Sequence, residues 1–374
     1  MTVVLTMYGD TSDLALATTH YVTKAGNDTT GDGSVGNPWL TINKALTTAP
    51  AGSVIGVGAG VYQEDSGSGY LNVSRQFTSK TYLRSLTGFA GDVVIQGTSD
   101  ATYNTLISAN ASNIRFRNVT FTMRLSTNGH CVRVANCSNI EFYTCVFHVR
   151  SNASYRAGLQ VQPSGVASCT GLVVSGCSFT QRSLNSAGGI VASGWAAGAT
   201  ADGLIENCTM RMYGECILLN GGTWSMRGGT YHSTTSHAVV FGSDSISSGF
   251  PTVANVNDVV IQCVSGHAFL FGNGCTNCSL TNSLIIGGDY GIVLKESSGH
   301  SVRGCTIYGG STAAVYYKAV SGCTISGCTI HAFLSGAYAV RYNQGDTPNF
   351  NKCSGCTLSA NTIHVGENAF VYNF

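Results

Sequence analysis

Three stretches near the end of the chain spell almost the same seven residues. They are Ser301-Val302-Arg303-Gly304-Cys305-Thr306-Ile307, Thr324-Ile325-Ser326-Gly327-Cys328-Thr329-Ile330 and Thr357-Leu358-Ser359-Ala360-Asn361-Thr362-Ile363. Such a repeat constrains a chain strongly, because each unit can bury its apolar side only against the next copy. A loop and a second apolar strand follow each copy. These second strands align backwards through the chain as Phe370-Val371-Tyr372, Val340-Arg341-Tyr342, Val315-Tyr316-Tyr317, Ile292-Val293-Leu294, Phe269-Leu270-Phe271, Val239-Val240-Phe241 and Ile217-Leu218-Leu219. Ile190-Val191-Ala192, Leu159-Gln160-Val161 and Val132-Arg133-Val134 complete a series of ten.

Spacings of 21 to 33 residues suit a coil of three short strands joined by turns, with loops in the longer intervals. The pattern therefore predicts an all-β solenoid, a right-handed parallel β-helix of about ten coils. Stacking by about 4.8 Å per coil would line up like residues in columns. Asn118, Gly176, Asn207, Gly304 and Gly327 recur at the corner after the first strand, where a tight turn needs positive φ. Beside them stand Cys145, Cys177, Cys208, Cys305 and Cys328, expected as a column of stacked, unbonded thiols in the core.

Composition supports one elongated domain. The 374 residues are 43% hydrophobic and only 10% charged, which excludes a disordered chain. A formal net charge of +1 supplies no basic field for nucleic acid, and no apolar run is long enough to cross a bilayer. Fifteen cysteines, an odd number spaced by the repeat, read as reduced thiols and not as a disulfide framework or zinc site. Residues 1–20 lack the basic start, apolar stretch and small-residue cleavage site of a secretion signal, so synthesis in the cytosol is expected. The domain reading is a 1–62 segment with a capping helix and first strand, then a continuous solenoid over 63–374. The helix is placed at Asn37-Pro38-Trp39-Leu40-Thr41-Ile42-Asn43-Lys44-Ala45-Leu46, with Asn37 as cap and Pro38 in the first turn.

The run Tyr21-Val22-Thr23-Lys24-Ala25-Gly26-Asn27-Asp28, that helix, Ala51-Gly52-Ser53-Val54-Ile55 and Gly60-Val61-Tyr62 together resemble the opening of pectate-lyase-like β-helix proteins. The resemblance implies the right-handed fold and a carbohydrate-related role. It does not single out a reaction, since that superfamily includes polysaccharide lyases, glycoside hydrolases, epimerases, phage tailspikes and non-enzymatic adhesins. The Asn-Thr-Asp, Asp-Asp, Gly-His-Gly and Arg-Ile-Lys motifs of its polygalacturonase-like branch are absent; Gly299-His300-Ser301 is only a fragment. The calcium-dependent lyases of the superfamily usually offer several aspartates and an arginine base near the cleft, and no such acidic cluster is found.

Without a motif to carry over, the candidate site comes from the columns. Two residues before the second apolar strand, successive coils carry His130, Ala157, Gly188, Glu215, His237, His267, Tyr290, Ala313, Tyr338 and Asn368. Glu215, His237, His267 and Tyr290 are thus four consecutive rungs, spanning about 15 Å if the register holds. Histidine and tyrosine can supply the base and acid that cleavage beside a uronate carboxylate requires, and Glu215 can orient a histidine. Lys295 and Lys318, in one column on neighbouring coils, can neutralise that carboxylate. Trp195 and Phe250, in the loops Ser193 to Asp202 and Gly242 to Asn257, can stack on sugar rings. The opposing reading is structural: these side chains stack and bind backbone at a coil corner. A second series, His148, His232, Tyr308, His331 and His364, reads as an exposed ladder. No cofactor motif is present; a divalent cation such as calcium is compatible, but rung spacing disfavours a three-ligand metal set.

Two functions of different class follow. One is a polysaccharide-degrading enzyme, lyase-like more than hydrolase-like. The other is a glycan-binding or structural virion β-helix, a phage tailspike. The expected partner is a polysaccharide substrate or glycan receptor, with no nucleic acid and no membrane. The outward positions Val191, Leu218, Val240, Leu270, Val293 and Tyr316 make an apolar stripe that would need a covering loop or a neighbouring chain. A last strand, Phe370 to Phe374, without a cap of its own gives two expectations, a parallel homotrimer or a further C-terminal region that supplies the cap.

Overall fold

A computed structural model describes residues 10–65, 69–97, 103–107, 111–122, 130–149, 156–163, 168–181, 187–192, 200–243, 251–343 and 353–373. Its strands form three sheets of 13, 12 and 12 strands, every pairing between named strands being parallel. Sheet one runs from His20–Val22 to Thr357–Ser359, sheet two from Leu71–Val73 to Phe370–Asn373, and sheet three from Gly60–Glu64 to Thr362–Val365. The chain visits sheets one, three and two in turn, so each strand hydrogen-bonds to its counterparts one coil away. Sheet two has two coils more than the repeat revealed, Leu71–Val73 and Tyr103–Ile107. Their sequences lack the Gly-Cys-Thr-Ile corner that marks the later units.

Alternation packs the interior. Val22, Ile55, Leu83, Phe116 and Phe142 have no exposed surface, and Phe121, Phe147 and Phe179 stack on successive coils at 5.3 and 4.3 Å between ring centroids. The corner between sheets one and three behaves as its residue types require. Asn118, Asn207, Gly304 and Gly327 have φ of 53, 52, 61 and 62°. All fifteen cysteines are free, and Cys145, Cys177, Cys208, Cys305 and Cys328 lie within 2% of complete burial. Register inserts Gly229, Val259 and Ser283 between Cys208 and Cys305, so the thiols form two groups and not one file. Burial pushes the Cys208 thiol up to about 12, and it stays protonated.

The helix spans Ile42–Thr48, later than the sequence reading placed it. Trp39 is 2% exposed and makes a parallel bridge to Val22 at the edge of sheet one, which keeps Asn37 to Leu40 out of helical geometry. Thr41 is the cap, accepting from the Lys44 N–H at 3.1 Å. The buried Glu64 carboxylate accepts from the Ile42 and Asn43 N–H groups, both at 2.9 Å. Glu64 belongs to the strand Gly60–Glu64, so a boundary at residue 62 cuts a strand of the solenoid. Val54–Val57 and even His20–Val22 are already sheet-one strands. Among the described residues no helix is long and apolar enough to cross a membrane.

The N-terminal segment crosses the outer face of sheet one. Asp13, in the turn Ser12–Ala15, is fully buried and accepts from Arg115 Nη1 at 2.8 Å and from Arg117 Nε and Nη2 at 2.8 and 2.7 Å. Glu141 takes Arg115 Nε at 2.6 Å and pairs with Lys80, and Asp10 takes Arg115 Nη2 at 2.7 Å. The Ser12 hydroxyl and Arg115 hold the Asp10 carboxyl well below the usual carboxylate range.

Candidate functional site

The outer face of sheet two carries three columns. The first follows the sequence reading as far as Tyr338. His267 pairs with Tyr290, Tyr290 with Ala313 and Ala313 with Tyr338. Glu215 and His237 occupy the preceding rungs by the alignment Ile217–Val239–Phe269. The last coil departs from it: Tyr338 pairs with Phe370 and Val340 with Tyr372, a slip of two residues that puts Phe370, not Asn368, in the column.

These side chains come together. The His237 and His267 rings stack at 4.2 Å and 8°, the Tyr290 ring meets His267 edge-on at 4.9 Å, and Tyr290 stacks on Tyr316 at 5.0 Å. All four column members from Glu215 to Tyr290 are partly exposed. The His267 N–H donates to His237 Nδ1 at 3.1 Å. An amide can only donate, so in neutral His237 the proton resides on Nε2, which is a hydrogen-bond donor. Glu215 accepts from the Ser236 hydroxyl at 2.7 Å, next to His237 in sequence. The structural reading is met in part at His237, whose Nδ1 binds backbone and whose ring stacks on His267.

The middle column is the apolar stripe, and of its two expected covers the structure shows one within the chain at its centre. Val240, Leu270 and Val293 are only 2, 0 and 2% exposed, with Leu218, Tyr290 and Tyr316 packed around them. They form a small external core beside the ring column, while Val191, Leu218 and Tyr316 are half-buried. The third column contains Lys295 beside Lys318, one coil apart. Arg341 sits on the rung after Tyr316, its guanidinium 5.7 Å from that ring and 5.8 Å from Tyr338. Sequence reasoning passed over Arg341, although Val340-Arg341-Tyr342 has a charge at a position that is apolar or aromatic in the six coils before it. Trp195 and Phe250 lie outside the described residues. The strands Thr200–Glu206 and Thr252–Asn257 take up the ends of the two loops assigned to them.

The second histidine series occupies one column on sheet three. Tyr308, His331 and His364 stack at 4.4 and 4.8 Å, and Tyr308 is 37% exposed. Among the described residues no group of three or more His, Cys, Asp or Glu side chains is arranged to hold a metal ion.

Comparison with known proteins places the fold. The protein of solved structure titled Azotobacter vinelandii mannuronan C-5 epimerase AlgE4 A-module superposes with a TM-score of 0.51 at 10% identity, covering 89% of this chain and 91% of its own. Pectate lyase Pel9A gives 0.45 at 15% identity over 95% and 79%, and bacteriophage CBA120 tailspike protein 3 gives 0.41 at 14% over 93% and 61%. No curated protein matches the sequence. The family model "Right handed beta helix region" matches residues 215–373, and "Protein of unknown function (DUF1565)" matches residues 24–220, more than half of the chain. The chain thus belongs to the DUF1565 family, and its three-sheet solenoid is a right-handed parallel β-helix.

Proposed function

We propose that the outer face of sheet two binds a uronate-containing polysaccharide along the solenoid axis and cleaves it by β-elimination. The observation that supports this most is a titratable ring track, His237–His267–Tyr290, on the same face as the lysine pair Lys295 and Lys318, which stands across the apolar column at the other end of the strand Tyr290–Lys295. Elimination removes the proton on the carbon bearing the carboxylate, forms a carbon–carbon double bond and breaks the neighbouring carbon–oxygen bond. His267 takes the proton, the Tyr290 phenol supplies one to the departing oxygen and becomes a phenolate, and the His237 Nε2–H donates a hydrogen bond to that oxygen. The lysines offset the carboxylate charge, which makes the adjacent proton removable. Tyr290 and Tyr316 offer ring surface and edges to the sugar. With the lysines in that role, cleavage should persist in the presence of a chelator; loss of activity on chelation would assign the neutralising charge to a divalent cation such as calcium.

The test is a panel of uronate-containing and neutral polysaccharides, read by ultraviolet absorbance of the unsaturated product and by reducing ends. His237→Ala and His267→Ala should each lower the elimination rate by about 10²-fold or more with the thermal midpoint nearly unchanged. Full activity of the double variant on a confirmed substrate would move the site elsewhere. Reducing ends without absorbance would replace elimination by hydrolysis.

A further inference from the structure

A second concave site lies on the outer face of sheet one, away from the ring track. It is a hollow of about 470 Å³, within the range of small-ligand sites. Register explains how it forms. Tyr143, Ser175, Glu206, Arg227 and Asn257 follow one another in one outward column, and Val173 and Leu204 are successive members of the column beside it. Large side chains bound the ends, while Val173 and Leu204 leave a low apolar floor between them. Asp10, brought in by the N-terminal segment, and Asp258, at the coil corner with φ of 57°, complete the rim.

Its chemistry differs from that of sheet two. The Glu206 side chain is 7% exposed and accepts from Arg227 Nε at 2.7 Å, whereas Arg227 is 62% exposed. Ser175, between Tyr143 and Glu206 in the column, has no exposed surface, and its hydroxyl has no hydrogen-bond partner. Glu206 is paired with Arg227 and Asp10 with Arg115, so of the three carboxylates in the lining Asp258 supplies the surplus, a formal balance of 2 − 3 = −1. That field repels an anionic sugar. Carboxylate and amide oxygens accept from sugar hydroxyls, and an aliphatic floor suits the C–H face of a pyranose.

We infer that this hollow is a second saccharide-binding site, specific for a short, neutral, hydroxyl-rich oligosaccharide. It stands on its own observations and does not need the reaction proposed for sheet two. Together the two sites would hold a mixed polymer, or two glycans, on different faces of one solenoid.

The probe is an array of neutral cello-, malto-, manno-, galacto- and N-acetylated chito-oligosaccharides, with uronate oligomers and deacetylated chito-oligomers as contrasts. At least one neutral oligomer should bind. Its affinity should fall about tenfold or more in Leu204→Trp, which fills the floor, and in Asp258→Asn, which removes a charged acceptor and keeps a residue tolerant of positive φ. His237→Ala should leave it unchanged. Thermal midpoints of both hollow variants would show whether they fold; Asp258→Asn, at an exposed corner, serves if the tryptophan does not fit. Binding of no neutral oligomer overturns the inference. So does binding confined to charged oligomers, or affinity that responds to His237→Ala and to neither hollow variant.

Discussion

Sheets one and two present the same backbone to solvent, but they arrange charge oppositely. On sheet one, cations meet carboxylates: Arg115 precedes Glu141, Glu206 precedes Arg227, and Asp13 is inserted between Arg115 and Arg117, the latter being the register partner of Arg84. On sheet two, like stands beside like: His237 beside His267, Lys295 beside Lys318, Tyr316 close to Tyr290. A set of paired opposite charges satisfies itself and adds to folding; a like-charged column costs stability and gains only when a ligand of opposite charge arrives. The difference separates what holds this solenoid together from what it offers to other molecules.

The largest effect that would test this contrast is on stability. Asp13 is fully buried between two guanidinium groups, so Asp13→Ala leaves both cations under cover without their shared counter-charge. The expected loss is about 3–5 kcal/mol, seen as a clear drop in thermal midpoint and early exposure of the N-terminal segment. An unchanged midpoint would mean that the paired charges of sheet one are as dispensable as ordinary surface pairs.

On sheet two the same kind of substitution should act on the ligand instead. Lys318→Ala removes one of two like charges on adjacent coils, so the fold should be unaffected or slightly more stable, and Lys295→Ala is its companion for binding. Affinity for a uronate oligomer should fall about tenfold for each, and its salt dependence should become shallower. Titration of the oligomer at two ionic strengths checks both. A destabilised variant with unchanged affinity would erase the distinction between the faces.

How much of this could be read from the sequence follows from the same geometry. The period fixes register, and register alone places side chains in columns, so Glu215, His237, His267 and Tyr290 were found together without any tertiary information. Register failed where an insertion interrupts the period: the interval between Tyr342 and Phe370 carries extra residues, and the last strand pairs two positions away from its expected place. The burial of Val240, Leu270 and Val293 was also missed, because alternation says which way a side chain points and not what its neighbours cover. The sheet-one hollow was not legible at all. Asp10 and Asp13 reach Arg115 across 105 and 102 residues, and no repeat links them.

The smallest effect concerns a third face, where His331 stacks between Tyr308 and His364, with Phe333 tilted against it at 5.3 Å. This column again sets like beside like, so acid should strain it while leaving paired opposite charges intact. Burial, and then the nearby His364, lower the His331 pKa from its ordinary 6.5. The folded state therefore binds this proton less readily than the unfolded chain. Between the lowered value and 6.5 the unfolded chain carries more protons, so stability rises with pH through that window and is lost as acid passes down it. Local opening of Thr329–Ala332 and Thr362–Val365, followed by hydrogen exchange corrected for its intrinsic pH dependence, should increase as the pH falls below 6.5. The neutral substitution His331→Gln should flatten that response. Persistence of the full slope in the variant would place the proton on another group and remove this column from the like-with-like class.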